Sequence, residues 1–452
     1  MNNSYYSVED FAVTPNQSSA QTGALQKAIN TAAAEGRMLY FPAGTYISGT
    51  LQLPSNTCIE LGAGAILQGS RDIADYPECG ENFNPDAHLD LQRHHLLIAE
   101  DVENITIRGQ GTINGQGEAF WDPPSSCAFF TARVSRPSPM LEFHRVKNMR
   151  LQDITITESP GWTVHVHRCA GVRINGVIIR NHLHGPNTDG LDITDSCDVF
   201  ISDCDIVAGD DAIVLKSLGG VNERITITNC ITQTNCSALK LGANESLGTI
   251  RQVTMSNCVV RNSSRGISLY CMGGGLFEDV AISNIVIECM NEIPLVCPIH
   301  INCSRNPSPR RDRGIGRIRN VRISQILCRS DARILLTAED GTMLENIMLE
   351  NVHMEMPEIE DRFGQAREAV GLQFSPFSPD ARAARACVAA CNIKGLHLRN
   401  ITTDWPSPAA VPMHFMWARN VEGTVDCPGA TAAQPDTEKY NTENSRITGI
   451  DL

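Results

Sequence analysis

A short recurring pattern limits what this chain can fold into more than any other feature of its sequence. Two apolar residues are separated by one residue of any kind, and Asn, Asp, Gly or Gln follows two positions after the second. From the third to the seventh copy the intervals are 27, 26, 28 and 27 residues, and other intervals reach 41, 44 and 49 residues. Such a period is typical of a repeat protein. The first residues of the ten copies are Ile105, Met149, Val172, Val199, Ile225, Val253, Val280, Val321, Ile347 and Leu396.

Each copy of the repeat predicts a short strand that ends in a turn. Alternation of apolar residues with period two is typical of a strand with one buried face, and the polar residue after it is a turn former. A strand this short cannot bury its inner face alone, so successive copies must stack into a continuous core. The sequence therefore predicts an all-β chain, a single right-handed parallel β-helix over residues 1–452. The long intervals are either coils that carry insertions or pairs of short coils.

Two segments depart from the repeat. Leu25, Ile29 and Ala33 follow a helical spacing within residues 19–36, which predicts an amphipathic helix that caps the first coil. Residues 357–391 are first acidic and then rich in Ala and Arg, and we expect them to be an insertion in a late coil.

The cysteines favour a structural role over a chemical one. The chain has 17 of them, an odd number, which excludes a complete disulfide framework and favours a reducing compartment. Cys204, Cys230 and Cys258 each follow a turn residue, so we expect a ladder of thiols in the core rather than a thiol site. No pair has the CxxC spacing, and the sequence predicts neither a metal nor a cofactor.

The charge balance restricts the possible partners. The formal net charge is −14, which argues against binding to nucleic acids or to anionic membranes. No apolar run approaches the ~20 residues that a membrane helix needs. The first residues lack the basic and apolar stretches of a secretory signal, so we expect a cytoplasmic protein. The oligomeric state stays open.

Three acids occupy matching places in two consecutive repeats. Asp189 lies 17 residues after the start of its repeat, and Asp210 and Asp211 lie 11 and 12 residues after the start of theirs. Adjacent coils stack ~4.8 Å apart, so these carboxylates can converge on one face. Because like charges repel, we expect one of them to keep its proton and act as a general acid beside an ionised base. For a single Asp the alternative, a simple turn former, is favoured, but this set favours catalysis.

The segments around these acids resemble a known family. Asn187-Thr-Asp-Gly190 and the segment GDDAIVLKS that begins at Gly209 are similar to the acidic motifs of glycoside hydrolase family 28, and the interval of 21 positions from Asp189 to Asp210 also matches that family. The segments FPAGTYISGTLQLPSN, GQGTINGQG and SPGWTVH resemble the same family, which includes polygalacturonases and rhamnogalacturonan hydrolases. The resemblance implies a right-handed parallel β-helix that hydrolyses glycosidic bonds with inversion. It assigns Asp210 as the general acid, and Asp189 and Asp211 as the groups that hold and deprotonate the attacking water.

The sequence departs from the family at two motifs. Ser237 stands where the family's Gly-His-Gly motif has its histidine. Ser268 and Tyr270 occupy the positions at which the family's Arg-Ile-Lys motif has Arg and Lys. Without those cations a galacturonate carboxylate loses its charge-assisted partners, so we expect a neutral sugar there. The same face carries candidate replacements for sugar binding, and the alternative for each is a solvated charge at the edge of a coil. They are Lys240, Glu245 and Arg265.

The remaining candidates for substrate binding precede the first acid. His182 and His184 either substitute for the missing histidine or cap turns, and Asn187 belongs to the acidic motif. The sequence favours an exo-acting hydrolase for oligosaccharides from pectin or related plant polymers. Two alternatives stay open. One is a polysaccharide lyase, which needs Ca²⁺ and a basic residue at the uronate, and the other is a carbohydrate-binding β-helix without catalysis.

Overall fold

The computed structural model describes most of the chain as two compact units, residues 1–213 and residues 214–452. No helix among its described residues is long and apolar enough to cross a membrane. Only the backbone of residues 244 and 245 is described. The described ranges are 5–81, 92–123, 130–133, 135–290, 297–306, 312–357, 381, 384–406 and 412–450.

The first unit is a right-handed parallel β-helix whose full coils have three short strands each. One antiparallel pair, Trp121–Asp122 with Thr131–Ala132, stands apart from the coils. Three 3₁₀ helices are Val8–Phe11, Ile73–Asp75 and Gly117–Phe120. The coil strands are Tyr5–Ser7, Met38–Phe41, Gly44–Ser48, Leu51–Gln52, Cys58–Leu61, Ala65–Gly69, Leu97–Glu100, Glu103–Gly109, Thr112–Asn114, Leu141–His144, Lys147–Gln152, Thr155–Thr157, Val164–His167, Ala170–Asn175, Ile178–Arg180, Leu191–Thr194, Cys197–Ser202 and Asp205–Ala208.

The second unit continues the same architecture with longer strands. The strand Ile213–Ser217 begins at the boundary between the units. The others are Val221–Thr228, Ile231–Thr234, Ser237–Ser246, Thr249–Val260, Arg265–Cys271, Leu276–Cys289, Cys297–Cys303, Arg317–Ser330, Ile334–Ala338, Leu344–Glu355, Ala386–Asp404, His414–Asp426, Tyr440–Glu443 and Arg446–Thr448.

Equivalent residues of the repeats predicted from the sequence are register partners in the stacked strands. In the first unit Ile105 pairs with Met149, Met149 with Val172, and Val172 with Val199. In the second unit the same holds from Ile225 through Leu396. The long intervals inside the units are therefore single coils that carry insertions, because their first residues pair directly.

The polar residue that ends each repeat bends the backbone, directly after a strand for Asp203 and Asn229 and inside the longer strand Thr249–Val260 for Asn257. Asp203, Asn229 and Asn257 have φ 56°, a left-handed conformation that Asn and Asp adopt more readily than most other residues. The next residue points into the core, and there Cys204, Cys230 and Cys258 are at most 2% exposed. The cysteine ladder thus lies in the core.

The helix Thr22–Ala34 lies within the segment predicted to be helical, and Leu25, Ile29 and Ala33 are buried. The side-chain amide of Gln26 bridges the backbone of Gln52, accepting from its N–H and donating to its carbonyl, both at 2.8 Å. These bonds cover the edge of an early strand.

The late segment at 357–391 is described only in part. Residues 358–380 and 382–383 lie outside the described residues, so the predicted insertion has no structural account there. The strand Ala386–Asp404 takes in residues 386–391 and pairs with the strand Ile334–Ala338, so these residues belong to the coil itself.

Candidate active site

The turn that contains Asn187 leads directly into the strand Leu191–Thr194. The backbone of Asn187 has φ 52°, a left-handed conformation. Gly190 closes the turn where no side chain fits, because a Cβ there would lie 2.4 Å from the carbonyl oxygen of Ala212 on the next coil. The backbone path therefore explains the glycine of the motif and suits the asparagine.

Hydrogen bonds on both sides of Asp189 join its turn to the next coil. The backbone N–H of Gly209 donates to Thr188 Oγ1 at 3.1 Å, and the backbone N–H of Gly190 donates to the carbonyl of Asp211 at 2.8 Å. The main chain around Asp189 therefore runs alongside the main chain at 209–211. This is the adjacency that the repeat spacing predicts for the acids.

The three carboxylates differ in their environment. Asp189 and Asp211 are each 2% exposed, whereas Asp210 is partly exposed. Asp210 accepts from Asn187 Nδ2 at 3.5 Å through Oδ2 and from the backbone N–H of Asp211 at 3.0 Å through Oδ1. One carboxylate oxygen of Asp210 lies within 4.8 Å of one of Asp211. Asp210 is thus the acid of the three that solvent reaches most readily.

The two histidines before the motif lie in a tight loop beside an aromatic pair. His182 Nδ1 accepts the backbone N–H of His184 at 3.0 Å, which is a turn-capping contact and assigns the ring proton to Nε2. Phe130 meets the His182 ring edge to face, with 5.1 Å between centroids, and stacks on Trp121 at 5.6 Å. Of the two sequence interpretations, this geometry favours the cap for Nδ1 and leaves the Nε2–H of His182 as a hydrogen-bond donor.

A buried acid–histidine cluster, which no motif in the sequence predicted, lies on three adjacent strands. Glu142, His165 and Asp192 are register partners, and all three are at most 2% exposed. His165 Nδ1 lies 2.7 Å from Glu142 Oε2, and its Nε2 lies 3.1 Å from Thr194 Oγ1. The available signal was polar residues at equivalent alternate positions of successive strands, as in LEFH and VHVH.

Burial controls the titration of this cluster. It raises the pKa of Glu142 to about 7, and it lowers the pKa of His95, His144 and His167. The rings of His144 and His167 stack with centroids 4.8 Å apart and planes 5° apart. Burial therefore disfavours the charged forms of Glu142, His95, His144 and His167.

A cation already occupies the carboxylate–histidine group at the edge of this cluster. Glu81, Glu100 and His144 bring possible ligand atoms within 4.8 Å of one another. The guanidinium of Arg145 contacts Glu81, lies 3.2 Å from Glu100 Oε1 and lies 2.8 Å from His144 Nε2. Arg145 supplies the positive charge that a metal ion would bring, so these residues do not form a metal site.

The candidates of the second unit lie on neighbouring strands. Ser237 pairs with Arg265, and Lys240 pairs with Ser268. Lys240 is 2% and Arg265 is 5% exposed, so the interpretation of solvated charges at a coil edge is wrong for both. Arg265 Nη2 donates to Cys236 Sγ at 2.8 Å. The side chain of Glu245 lies outside the described residues.

Tyr270 is part of a buried polar group in the second unit. Its hydroxyl lies 2.8 Å from Nδ1 of His300, a residue that the sequence gave no reason to select. Lys240 Nζ lies 5.8 Å from the Tyr270 ring centroid. Burial raises the pKa of Tyr270 to about 12, so its hydroxyl keeps its proton.

Fold and site together define a class of protein, parallel β-helices with acids on consecutive coils. Residues 38–365 match the family model of the glycosyl hydrolases family 28. The chain belongs to this family.

Known structures and sequences agree with this membership. The exopolygalacturonase of Thermotoga maritima has a TM-score of 0.68 at 19% identity and covers 89% of this chain and 92% of its own. The family 28 exopolygalacturonase of Yersinia enterocolitica has a TM-score of 0.63 at 16% identity, over 88% of this chain and 78% of its own. A probable polygalacturonase of Arabidopsis thaliana is 26% identical over 280 residues, which are 60% of this chain and 61% of that protein. The chain spans about three fifths of the length of this relative.

Proposed function

We propose that this protein is a glycoside hydrolase that acts on oligosaccharides derived from pectin or related plant polymers. The observation that carries the proposal is the pairing of the Asp189 turn with the main chain at 209–211, next to the partly exposed Asp210. Membership of family 28 and the polygalacturonases among its relatives support the substrate class.

In the proposed mechanism, Asp210 in its protonated form donates its proton to the oxygen of the scissile glycosidic bond. Asp189 and Asp211, as carboxylates, hold and deprotonate the water that attacks the opposite side of the sugar. Such inversion needs about 6.5–9.5 Å between acid and base carboxyls. Carboxylate oxygens of Asp210 and Asp211 lie within 4.8 Å of each other, so we propose Asp189 as the base and Asp211 as a group that holds the water. The partial exposure of Asp210 suits a group that must reach the substrate, and the burial of Asp189 and Asp211 suits groups that position one water.

We propose that the enzyme acts from a chain end. The strand face that carries Glu142, His165 and Asp192 is closed to solvent, so a long substrate has no open path across it. Exopolygalacturonases among the structural relatives agree with this. One sugar is then released at each cleavage.

We propose that the strand Arg265–Cys271 of the second unit binds a sugar through the hydroxyl groups of that sugar. Ser268 and Tyr270 offer hydroxyls at the two positions where the family motif has cations. Lys240 has its ammonium near the Tyr270 ring. A neutral residue such as a deoxyhexose suits hydroxyl partners better than a uronate does.

The test is hydrolysis of a panel of oligogalacturonides and neutral pectic oligosaccharides by the wild type and Asp210→Asn. We expect the variant to lose at least about 100-fold in kcat, because it cannot donate the proton. Asp205→Asn is the matched control, since Asp205 lies on the same coil and pairs with Arg180. NMR of the first product should give the inverted anomer, and chromatography should give single sugars.

Other outcomes would contradict parts of the proposal. Full activity of Asp210→Asn would remove Asp210 as the acid, and an unsaturated product absorbing in the ultraviolet would identify a lyase. Binding of every saccharide without turnover would identify a carbohydrate-binding protein. Preference for oligogalacturonides would refute the neutral-sugar subsite, and release of mixed oligomers would refute exo action.

We also propose that the protein works in the cytoplasm. The sixteen cysteines within the described residues are free thiols, which suits a reducing compartment. Fractionation of the source cells with an antibody to the protein tests this, and recovery from the medium alone would contradict it.

A further inference from the structure

Arg136 is a fully buried cation in the first unit, with 0% of its surface exposed. Its Nη1 donates to the carbonyl of Pro160 at 2.7 Å and to the carbonyl of Pro186 at 2.8 Å. Its backbone N–H donates to Gln92 Oε1 at 2.9 Å. A buried guanidinium is costly unless its hydrogen bonds are made, so this placement needs a reason beyond packing.

The two carbonyls belong to turns on consecutive coils. Pro160 lies in the turn before the strand Val164–His167, and Pro186 lies in the turn before the strand Leu191–Thr194. Trp121 Nε1 donates to the same Pro160 carbonyl at 2.8 Å. This one side chain links the two turns at Pro160 and Pro186, and main-chain bonds join the same turns further along, from the Thr163 N–H to the Asp189 carbonyl at 2.9 Å and from the Val164 N–H to the Gly190 carbonyl at 3.2 Å.

Asn181 holds the same two turns by separate hydrogen bonds. Its Oδ1 accepts the backbone N–H of Ser159 at 3.0 Å. Its Nδ2 donates to Thr163 Oγ1 at 2.7 Å and to the Thr188 carbonyl at 3.3 Å. The first turn is thus a rigid base against which Arg136 fixes the second.

The contact with Pro186 acts one residue before Asn187, the residue whose side chain contacts the candidate acid Asp210. The Pro186 carbonyl and the Asn187 nitrogen share one peptide plane. A hydrogen bond that fixes this carbonyl therefore also fixes the direction in which the main chain continues into Asn187. Asn187 then adopts φ 52° and directs Nδ2 to Asp210. The separation of 3.5 Å is at the long limit of a hydrogen bond, so a small rotation of this plane would break the contact.

We infer that Arg136 is a positioning residue for the reaction: it fixes the peptide plane before Asn187 so that Asn187 donates to the general acid Asp210. The inference rests on the hydrolase function proposed above. Arg136 touches no substrate and acts through Asn187. A guanidinium suits this task because its planar N–H groups direct two bonds at fixed angles, whereas the ammonium of Lys sits on a shorter, freely turning stem.

The test compares wild type, Arg136→Met, Arg136→Lys and Asn187→Gly in kcat, KM and the pH profile of kcat. Gly accepts the left-handed backbone at 187 and removes only the amide. We expect Arg136→Met to lower kcat about 10- to 100-fold and to change KM less than about threefold, since misplacement by 1 Å has such effects. Arg136→Lys should lie between Arg136→Met and the wild type.

The pH profile and a double-mutant cycle separate positioning from general stability. An amide that donates to a carboxylate favours the ionised form. Without it Asp210 keeps its proton longer, so the upper limb of the profile should move to higher pH in Arg136→Met and in Asn187→Gly alike. In the Asn187→Gly background, Arg136→Met should lower kcat by less than about a further threefold, because both substitutions remove the same contact, that of Asn187 with Asp210.

Arg319→Met is the control, because Arg319 binds Glu278 within the second unit and makes no bond to Asn187 or to the turns at Pro160 and Pro186 among the described contacts. It should leave kcat and the pH profile unchanged. Additive losses, or an unmoved pH profile in folded Arg136 variants, would overturn the inference. If Arg136→Met does not fold, the same kinetic measurements are made on Arg136→Lys.

The inference and the proposed function can fail separately. A wild type that hydrolyses no saccharide would refute the function. Crystal structures of the Arg136 variants would then still test the positioning, with Asn187 Nδ2 moved out of reach of Asp210 expected and an unmoved Asn187 refuting it.

Discussion

At the residue scale, buried polar side chains decide how the first unit presents its acids. Arg136 ties two turns together, and Glu142 meets His165 inside the strand face. Motif residues such as Gly190 were recognisable in the sequence, because a tight turn needs a particular residue type. Arg136 and Glu142 were not, because nothing in their local sequence says that they are covered.

Glu142→Gln should remove a pH-dependent cost to stability. Burial raises the pKa of Glu142 from 4.5 to about 7. Between these pH values the folded protein keeps a proton that the unfolded chain has released. Glu142 therefore lowers the free energy of unfolding as the pH rises from 4.5 to about 7, and its contribution stays constant at higher pH. The free energy of unfolding of the variant minus that of the wild type should therefore rise from pH 4.5 to 7, by up to about 3 kcal/mol.

Urea unfolding at a series of pH values measures this difference. Glu103→Gln, at an exposed position, is the control and should give a flat difference. A flat difference for Glu142→Gln as well would show that Glu142 is not held protonated. The charge of Glu142 raises the pKa of His95, His144 and His167 against the effect of their burial, so the measured difference also includes the change in their titration.

At the element scale, turns and caps follow from local chemistry. Asn and Asp residues in left-handed conformation recur from coil to coil, at strand ends and within strands, and neighbouring coils join such side chains, as where Asn148 donates to Asn104 at 2.8 Å. The N-terminal helix follows the helical spacing of its apolar residues. Its pairing with the backbone of Gln52 depends on a register that the helix pattern does not contain.

Gln26→Ala should destabilise the first coil, because both hydrogen bonds to the Gln52 backbone are lost. We expect the free energy of unfolding to fall by about 1–2 kcal/mol. Lys27→Ala, on the exposed side of the same helix, should stay within about 0.5 kcal/mol of the wild type. Equal effects of the two changes in thermal unfolding would show that the amide bridge contributes nothing.

At the scale of the whole molecule, stability comes from stacking each coil on its neighbours. In the second unit Ile282 pairs with Met255 on one side and Ile323 on the other, and all three are at most 1% exposed. Each coil of such a stack buries apolar surface mainly against the next. A defect in one coil is therefore felt first by the two coils beside it.

Ile282→Ala should lower the free energy of unfolding by about 2–5 kcal/mol, because it leaves a cavity in this stack. Hydrogen exchange should lose protection most in the strands Thr249–Val260, Leu276–Cys289 and Arg317–Ser330. Val286→Ala, on the same strand but 48% exposed, should cost less than about 1 kcal/mol. Uniform loss of protection throughout both units would contradict the neighbour-limited response.

The sequence by itself determined the strands, the turns, the stacking of coils and the adjacency of the turn that contains Asp189 to the main chain at 209–211. These follow from alternation, from residues that tolerate a left-handed backbone, and from a repeat whose length converts directly into register. Only the tertiary structure decided which side chains on the outer face of a coil are covered by other segments of the chain. Lys240 and Arg265 are buried, Arg136 reaches two turns, and Glu142 meets His165, because the atoms around them come from residues distant in sequence. Local pattern specifies the direction of a side chain, whereas its exposure depends on segments that the pattern does not describe.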